Sequence, residues 1–146
     1  MNAQDIKPSA QALRNTAFGS AWGCLALGFG AGLVPQAPGT AGTVIAIPFA
    51  VVLKLLDPVL FCAVLVLLFA IGVWCCGRAS EQLGAHDHGG IVWDEMVGYW
   101  LAVALVPHRW QWFLAAFVLF RVFDIFKPWP IRQVDQRIQG GLGIMA

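Results

Sequence analysis

The run Pro58–Gly77, PVLFCAVLVLLFAIGVWCCG, is twenty residues long and carries no charged side chain. As a helix rising ~1.5 Å per residue it reaches ~30 Å, the thickness of a bilayer's hydrocarbon core. Asp57 and Arg78 bracket it, so the spacing predicts a membrane-spanning helix rather than the buried helix of a water-soluble protein. Composition agrees: 59% of the 146 residues are hydrophobic and 12% charged, about half the usual charged share. That excludes a disordered chain and a nucleic-acid binder with a basic face. A formal net charge of +1 excludes strong electrostatic steering by the whole molecule. The length suits a single domain.

Three further apolar stretches flank this segment. Residues Asn15–Leu53 contain no charge, but two prolines and two glycines in Val34–Thr43 interrupt them. The expectation is a Gly/Pro-rich loop here, with Thr43 capping a helix over Val44–Leu56 that spans the bilayer, re-enters it or lies flat. Irregular backbone at membrane depth is tolerated only where protein buries it or where it lines a polar cavity, so a loop there is outside the bilayer or part of a site. Ile91–Pro107 and Trp110–Phe126 complete the pattern. Trp93, Tyr99, Trp100, Trp110, Trp112 and Trp129 lie near their ends, where interfacial anchoring is expected. The fold class expected is all-α, an integral membrane bundle of about four long helices and one shorter one. No cleavable signal peptide is read in the polar first fourteen residues. Cys24, Cys62, Cys75 and Cys76 lack metal-ligand spacing and read as small buried hydrophobes.

Charges within apolar helices are costly and mark function by default. One group is His86-Asp87-His88-Gly89-Gly90-Ile91-Val92-Trp93-Asp94-Glu95. Successive helical residues point ~100° apart, yet at a helix start Asp94 and Glu95 both reach a cation. Carboxylates suit Mg²⁺, which takes one or two of them with waters and phosphate oxygens; the plainer reading is a pair of first-turn acids favoured by the helix dipole. A second group, Arg121, Asp124 and Lys127, repeats every three residues among apolar neighbours, giving one polar stripe on a helix that Pro128 ends. It offers a carboxylate for a metal, a guanidinium fork and an ammonium for phosphate, or simply an Arg121–Asp124 ion pair. A third, Pro38-Gly39-Thr40-Ala41-Gly42-Thr43, offers backbone N–H groups to an anion, or is a plain turn. No Walker A loop, Cys-x₅-Arg, Asp-x-Asp or His-Glu-x-x-His string occurs. Together the clusters carry both signs required for metal-assisted phosphoryl chemistry.

These three strings, the second extended through Phe120-Arg121-Val122-Phe123-Asp124-Ile125-Phe126-Lys127-Pro128-Trp129-Pro130-Ile131-Arg132, together with the ending Gly140-Gly141-Leu142-Gly143-Ile144-Met145, resemble the phosphatidylglycerophosphatase A family in order and spacing from about Trp22 onward. The resemblance implies a multi-pass, all-α enzyme of the bacterial inner membrane, hydrolysing phosphatidylglycerophosphate to phosphatidylglycerol and phosphate with Mg²⁺. Its motif positions fall on Asp87, Asp94, Glu95, Arg121, Asp124 and Lys127. The assignment made on these grounds gives Asp87, Asp94, Glu95 and Asp124 to the metal, with Asp94 and Glu95 also catalytic. Arg121, Lys127 and the Gly39–Thr40 backbone take the phosphate, and His86 or His88 is the general acid. Lys7 and Arg14 favour a cytoplasmic N-terminus and a site facing the cytoplasm. The resemblance also implies an acidic pair and a last apolar helix after Met145. The chain ends at Ala146, so one shortened domain over 1–146, inactive or weak in metal binding and activity beside an active longer parent, is expected. The partners expected are membrane lipid and a phospholipid substrate, with no nucleic acid. The alternative to an enzyme is a small transporter or channel subunit whose intramembrane charges line a path. A phosphatase acting on another lipid phosphate is the nearer rival.

Overall fold

The computed structural model describes residues 8–86 and 88–146, with the side chains of 134–136 set aside. Among these residues there are helices and turns but no strand, in the order α1 (Ala10–Gly19), α2 (Ala21–Ala26), a 3₁₀ segment (Gly28–Leu33), α3 (Pro38–Leu53), α4 (Pro58–Leu83), α5 (Trp93–Ala104), α6 (Trp110–Phe126), α7 (Ile131–Arg137) and α8 (Gly140–Met145). Local chemistry explains most of the boundaries. Ser9 and Ser20 accept from the backbone N–H groups of Ala12 and Gly23, and Asp57 accepts from Val59 and Leu60 at 3.1 Å each. These caps satisfy donors that a first helical turn leaves unpaired. Gly84, in the left-handed region at φ 63°, closes α4.

The prolines of the 34–43 segment do not keep it irregular. Helix α3 begins at Pro38, six residues before the expected start at Val44. A proline in the first turn lacks only an N–H that has no helical partner, and its fixed φ suits a helix start. Thr43 therefore lies inside the helix, its hydroxyl donating to the Gly39 carbonyl at 2.9 Å, and is not the cap. At the other end Lys54 Nζ donates to the Val106 carbonyl at 2.9 Å, tying α3 to the α5–α6 connection.

Helix α5 occupies the centre, against α3, α4, α6 and α8. Three of the aromatics expected at membrane interfaces belong to it and are buried instead: Trp93, Tyr99 and Trp100. Each finds a partner for its polar atom on another helix. Trp93 Nε1 donates to the Leu68 carbonyl, Trp100 Nε1 to that of Ala46 and Tyr99 Oη to that of Phe113, at 2.9–3.1 Å. A buried indole or phenol is inexpensive once so paired. Trp110, Trp112 and Trp129 are exposed.

Among the described residues, α4 is the one helix long and apolar enough to cross a membrane; α3 is a shorter apolar helix. The twelve residues of α5 reach only ~18 Å, so the expectation of about four long helices gives way to one long helix among shorter ones. Cys75 and Cys76 are buried on α4, Cys24 is half-buried and Cys62 exposed.

Helix α8 lies on α4 at very close range. A Cβ placed on Gly141 would come within 1.9 Å of the Val73 carbonyl oxygen, so only glycine permits this backbone approach. The contact lets Ile144 and Met145 complete the core. Gly141→Ala is expected to cost about 2 kcal/mol through overpacking, read as a fall in Tm of roughly 5 °C; an unchanged melting curve would contradict the packing.

Candidate functional site

Five ionisable groups of the chain's second half, Asp94, Glu95, Arg121, Asp124 and Lys127, gather between the first turn of α5 and the last turns of α6. Asp94 and Glu95 occupy that first turn, and Arg121 and Asp124 project from α6. Lys127 caps α6 in the left-handed conformation, φ 40°, just before Pro128, as the proline was expected to end the helix. Asp94, Glu95, Asp124 and Lys127 line one open cavity of ≈ 680 Å³, walled further on by Leu101, Leu105 and Phe120. One end of the cavity is thus ionic and the rest apolar.

Arg121 binds this cluster together. Its Nη1 donates to Glu95 Oε1 at 3.4 Å and, more closely, to Asp124 Oδ2. The Arg121–Asp124 ion pair read as the simpler alternative is therefore present, but Glu95 joins it across 26 positions of sequence. With side chains only 12–23% exposed, the three charges lie in a medium where Coulomb attraction exceeds its value in water. Arg121 Nε is buried and makes no hydrogen bond among the described residues.

Glu95 is held from the opposite side by the start of α3. A Cβ on Gly39 would come within 2.0 Å of Glu95 Oε1 and 2.5 Å of Cδ. The carboxylate lies in space that any side chain at position 39 would fill, so Gly39 acts by lacking one. This relation between Gly39 and Glu95 has no signal in local sequence.

Other expected residues are placed elsewhere. Thr40 lines a separate shallow hollow beside Phe18 and Val34. His86 Nε2 accepts from the Gly140 N–H at 2.9 Å, and His88 Nδ1 accepts from the Gly90 N–H at 3.0 Å; neither borders the ionic cavity. Asp87 lies outside the described residues.

The donor chemistry can be tested against Mg²⁺. Among the described residues, no three His, Cys, Asp or Glu side chains form a group able to hold a metal alone. Mg²⁺ does not require one, since it keeps waters and binds through one or two carboxylates plus substrate phosphate. Asp94 and Glu95 from α5 and Asp124 from α6 are hard oxygen donors lining one cavity, which suits that ion better than a soft metal.

The arrangement of α6 also bears on where the protein resides. Its charged stripe points inward, whereas Val122, Phe123, Ile125 and Phe126 are 45–77% exposed. On α4, Val59 and Val66 are at least 70% exposed. A helix with charge inside and hydrocarbon outside is costly in water and favourable in lipid.

The sequence model of the family described as phosphatidylglycerophosphatase A matches residues 24–146. Phosphatidylglycerophosphatase A of Escherichia coli K12 is 47% identical over 125 residues, covering 85% of this chain and 73% of that protein. The protein of the same name from Haemophilus influenzae Rd is 47% identical over 126 residues, covering 83% and 76%. No solved structure matches.

Proposed function

This chain belongs to the phosphatidylglycerophosphatase A family, and on that premise we propose that it is a Mg²⁺-dependent enzyme hydrolysing phosphatidylglycerophosphate to phosphatidylglycerol and inorganic phosphate. The observation that carries the reading is the meeting of Asp94, Glu95, Asp124 and Lys127 in an otherwise apolar cavity, with Arg121 paired to two of them. A phosphorylated lipid head needs both signs of charge beside hydrocarbon.

Each residue has a separable task. One or two of Asp94, Glu95 and Asp124 would hold Mg²⁺ together with water and substrate phosphate oxygens, and the ion when bound supplies neutralisation of phosphoryl charge. Arg121, paired with Glu95 and Asp124, brings a positive charge to the phosphate's end of the cavity. Lys127, at the end of the same stripe, adds a point charge. Water attacks phosphorus, the bond to the glycerol oxygen breaks, and that oxygen takes up the proton that the attacking water gives up. Positioning and electrostatic stabilisation provide most of such catalysis. His86 and His88, engaged by backbone N–H groups away from the cavity, have no part in this scheme. Gly39 enters it through Glu95 rather than by binding phosphate.

The proposal seats the protein in the bacterial inner membrane as a multi-pass bundle with its ionic cavity toward the cytoplasm. Support comes from the length and hydropathy of α4, the outward apolar face of α6, and Lys7 and Arg14 ahead of the first apolar stretch.

Phosphate release from phosphatidylglycerophosphate in detergent micelles tests it. Release is expected with Mg²⁺, to fall at least ~10²-fold on chelation, an effect worth ~2.7 kcal/mol or more of barrier, and to return on adding Mg²⁺ back. Equal rates with and without the ion would remove the metal from the scheme. No release under any condition would overturn the substrate assignment.

A further inference from the structure

Asp94 borders two hollows, not one. The larger, ≈ 680 Å³, runs between α5 and α6 past Leu105 and Phe120. The smaller, ≈ 260 Å³, runs between α5 and α4 past Leu65, Val66 and Phe69. Both are bordered by Asp94, Gly98, Leu101 and Met145. On a helix, positions 94, 98, 101 and 105 form a single stripe. The hollows therefore diverge on either side of one ridge of α5 from a common ionic end. Gly98 makes a notch in this ridge, and Phe120 closes over it: a Cβ there would meet the Phe120 ring at 2.7 Å.

We propose that the two acyl chains of a single glycerophospholipid substrate straddle α5, one in the α5–α6 hollow and one in the α4–α5 hollow, with the phosphorylated head at Asp94, Glu95, Asp124 and Lys127. The inference rests on the phosphatase reading and adds where the substrate's hydrocarbon lies. Charge complementarity selects this occupant. Beyond Asp94, the smaller hollow is lined by apolar side chains alone. The larger adds Glu95, Asp124 and Lys127 to Asp94 and is apolar from Gly98 to Leu105. One head with two tails fits that shape; a single-chain amphiphile would leave one branch empty. By contrast, the hollow bounded by Phe29, Phe49, Val52, Leu68, Trp93 and Trp100 has no ionisable lining residue and nowhere for a head.

The gain is positional. Lipid tails are as apolar as the side chains they touch, so transfer from bilayer to hollow gives little hydrophobic free energy. Two chains held on either side of a helix restrict how the head rotates, and orientation of a bound phosphate is worth much in rate. Val66 thus becomes a specificity-determining residue for a second chain, remote from the charges.

The test compares phosphatidylglycerophosphate with its one-chain lyso form in detergent micelles with Mg²⁺, using wild type, Val66→Trp and Val118→Trp. Val66 is 70% exposed, so the larger ring is accommodated without disturbing the core while it blocks the α4–α5 hollow. The expected result is an approximately tenfold fall in the two-chain to one-chain ratio of kcat/KM for Val66→Trp. The one-chain rate reports an intact fold and head site. Val118, exposed on α6 and bordering neither hollow, is expected to leave the ratio unchanged as Trp. An unaltered ratio in Val66→Trp, equal losses on both substrates, or the same shift in Val118→Trp would overturn the inference while leaving the phosphatase reading intact. Absence of phosphate release by wild type from either substrate would overturn that reading and this inference with it.

Discussion

Asp94→Asn is expected to lower kcat for phosphate release by at least ~10²-fold, an effect of ~2.7 kcal/mol or more on the barrier, while the protein stays folded. Asn keeps the size and shape of Asp, so α5 and the walls of both hollows are preserved. What disappears is one negative charge at the point where the two hollows meet. In a partly dehydrated cavity that charge attracts a divalent cation strongly, and Asn offers a neutral oxygen in its place. The expected signature is therefore a fall in kcat with a higher Mg²⁺ requirement and an unchanged melting temperature. Near-normal turnover would remove Asp94 from the site. A collapse of thermal stability would mean that the carboxylate serves the fold instead.

Gly39→Ala is expected to lower kcat/KM by one to two orders of magnitude, although the substitution lies on a different helix from every charged residue of the cavity. The new Cβ would stand 2.0 Å from Glu95 Oε1, so the carboxylate must swing away or α3 must retreat. Either movement disturbs the 3.4 Å contact through which Glu95 holds Arg121. A displacement of ~1 Å at a reacting centre can cost ~10²-fold. Helix propensity works in the opposite direction, because Ala is favoured over Gly by ~1 kcal/mol in a helix interior. An activity loss that exceeds any stability loss would thus distinguish crowding of Glu95 from damage to α3. Shortening the acid as well, in the double substitution Gly39→Ala with Glu95→Asp, is expected to recover part of the rate. Gly19→Ala is the matched control, since a Cβ there meets nothing within 4 Å. Normal activity in Gly39→Ala would refute the clamping of Glu95 by α3.

Local pattern carried some of these features and not others. Helix α4 is legible because an uncharged run of that length has few other folds, and α6 because a charged stripe at three-residue spacing ends at Pro128. The start of α3 is not, since Pro-Gly-Thr reads equally as a loop or as the first turn of a helix. What favours the helix is the packing of α3 along α5 and the 3₁₀ segment. Trp93 and Trp100 carry the composition of interfacial residues, and their burial depends on carbonyls of Leu68 and Ala46, 25 and 54 positions away. The histidines stand beside the acids in sequence, yet His86 meets the Gly140 N–H, 54 residues on.

The amino-acid sequence by itself determined that this protein is helical and which few charges stand within apolar stretches, because periodicity and the cost of charge in hydrocarbon act over one or two helical turns. Only the tertiary structure decided which of those charges share a cavity, that Gly39 yields its space to Glu95, and that a ridge of α5 divides the hydrocarbon space in two. Those outcomes depend on contacts between α3, α4, α5 and α6, and no spacing within a single helix specifies the distance to another.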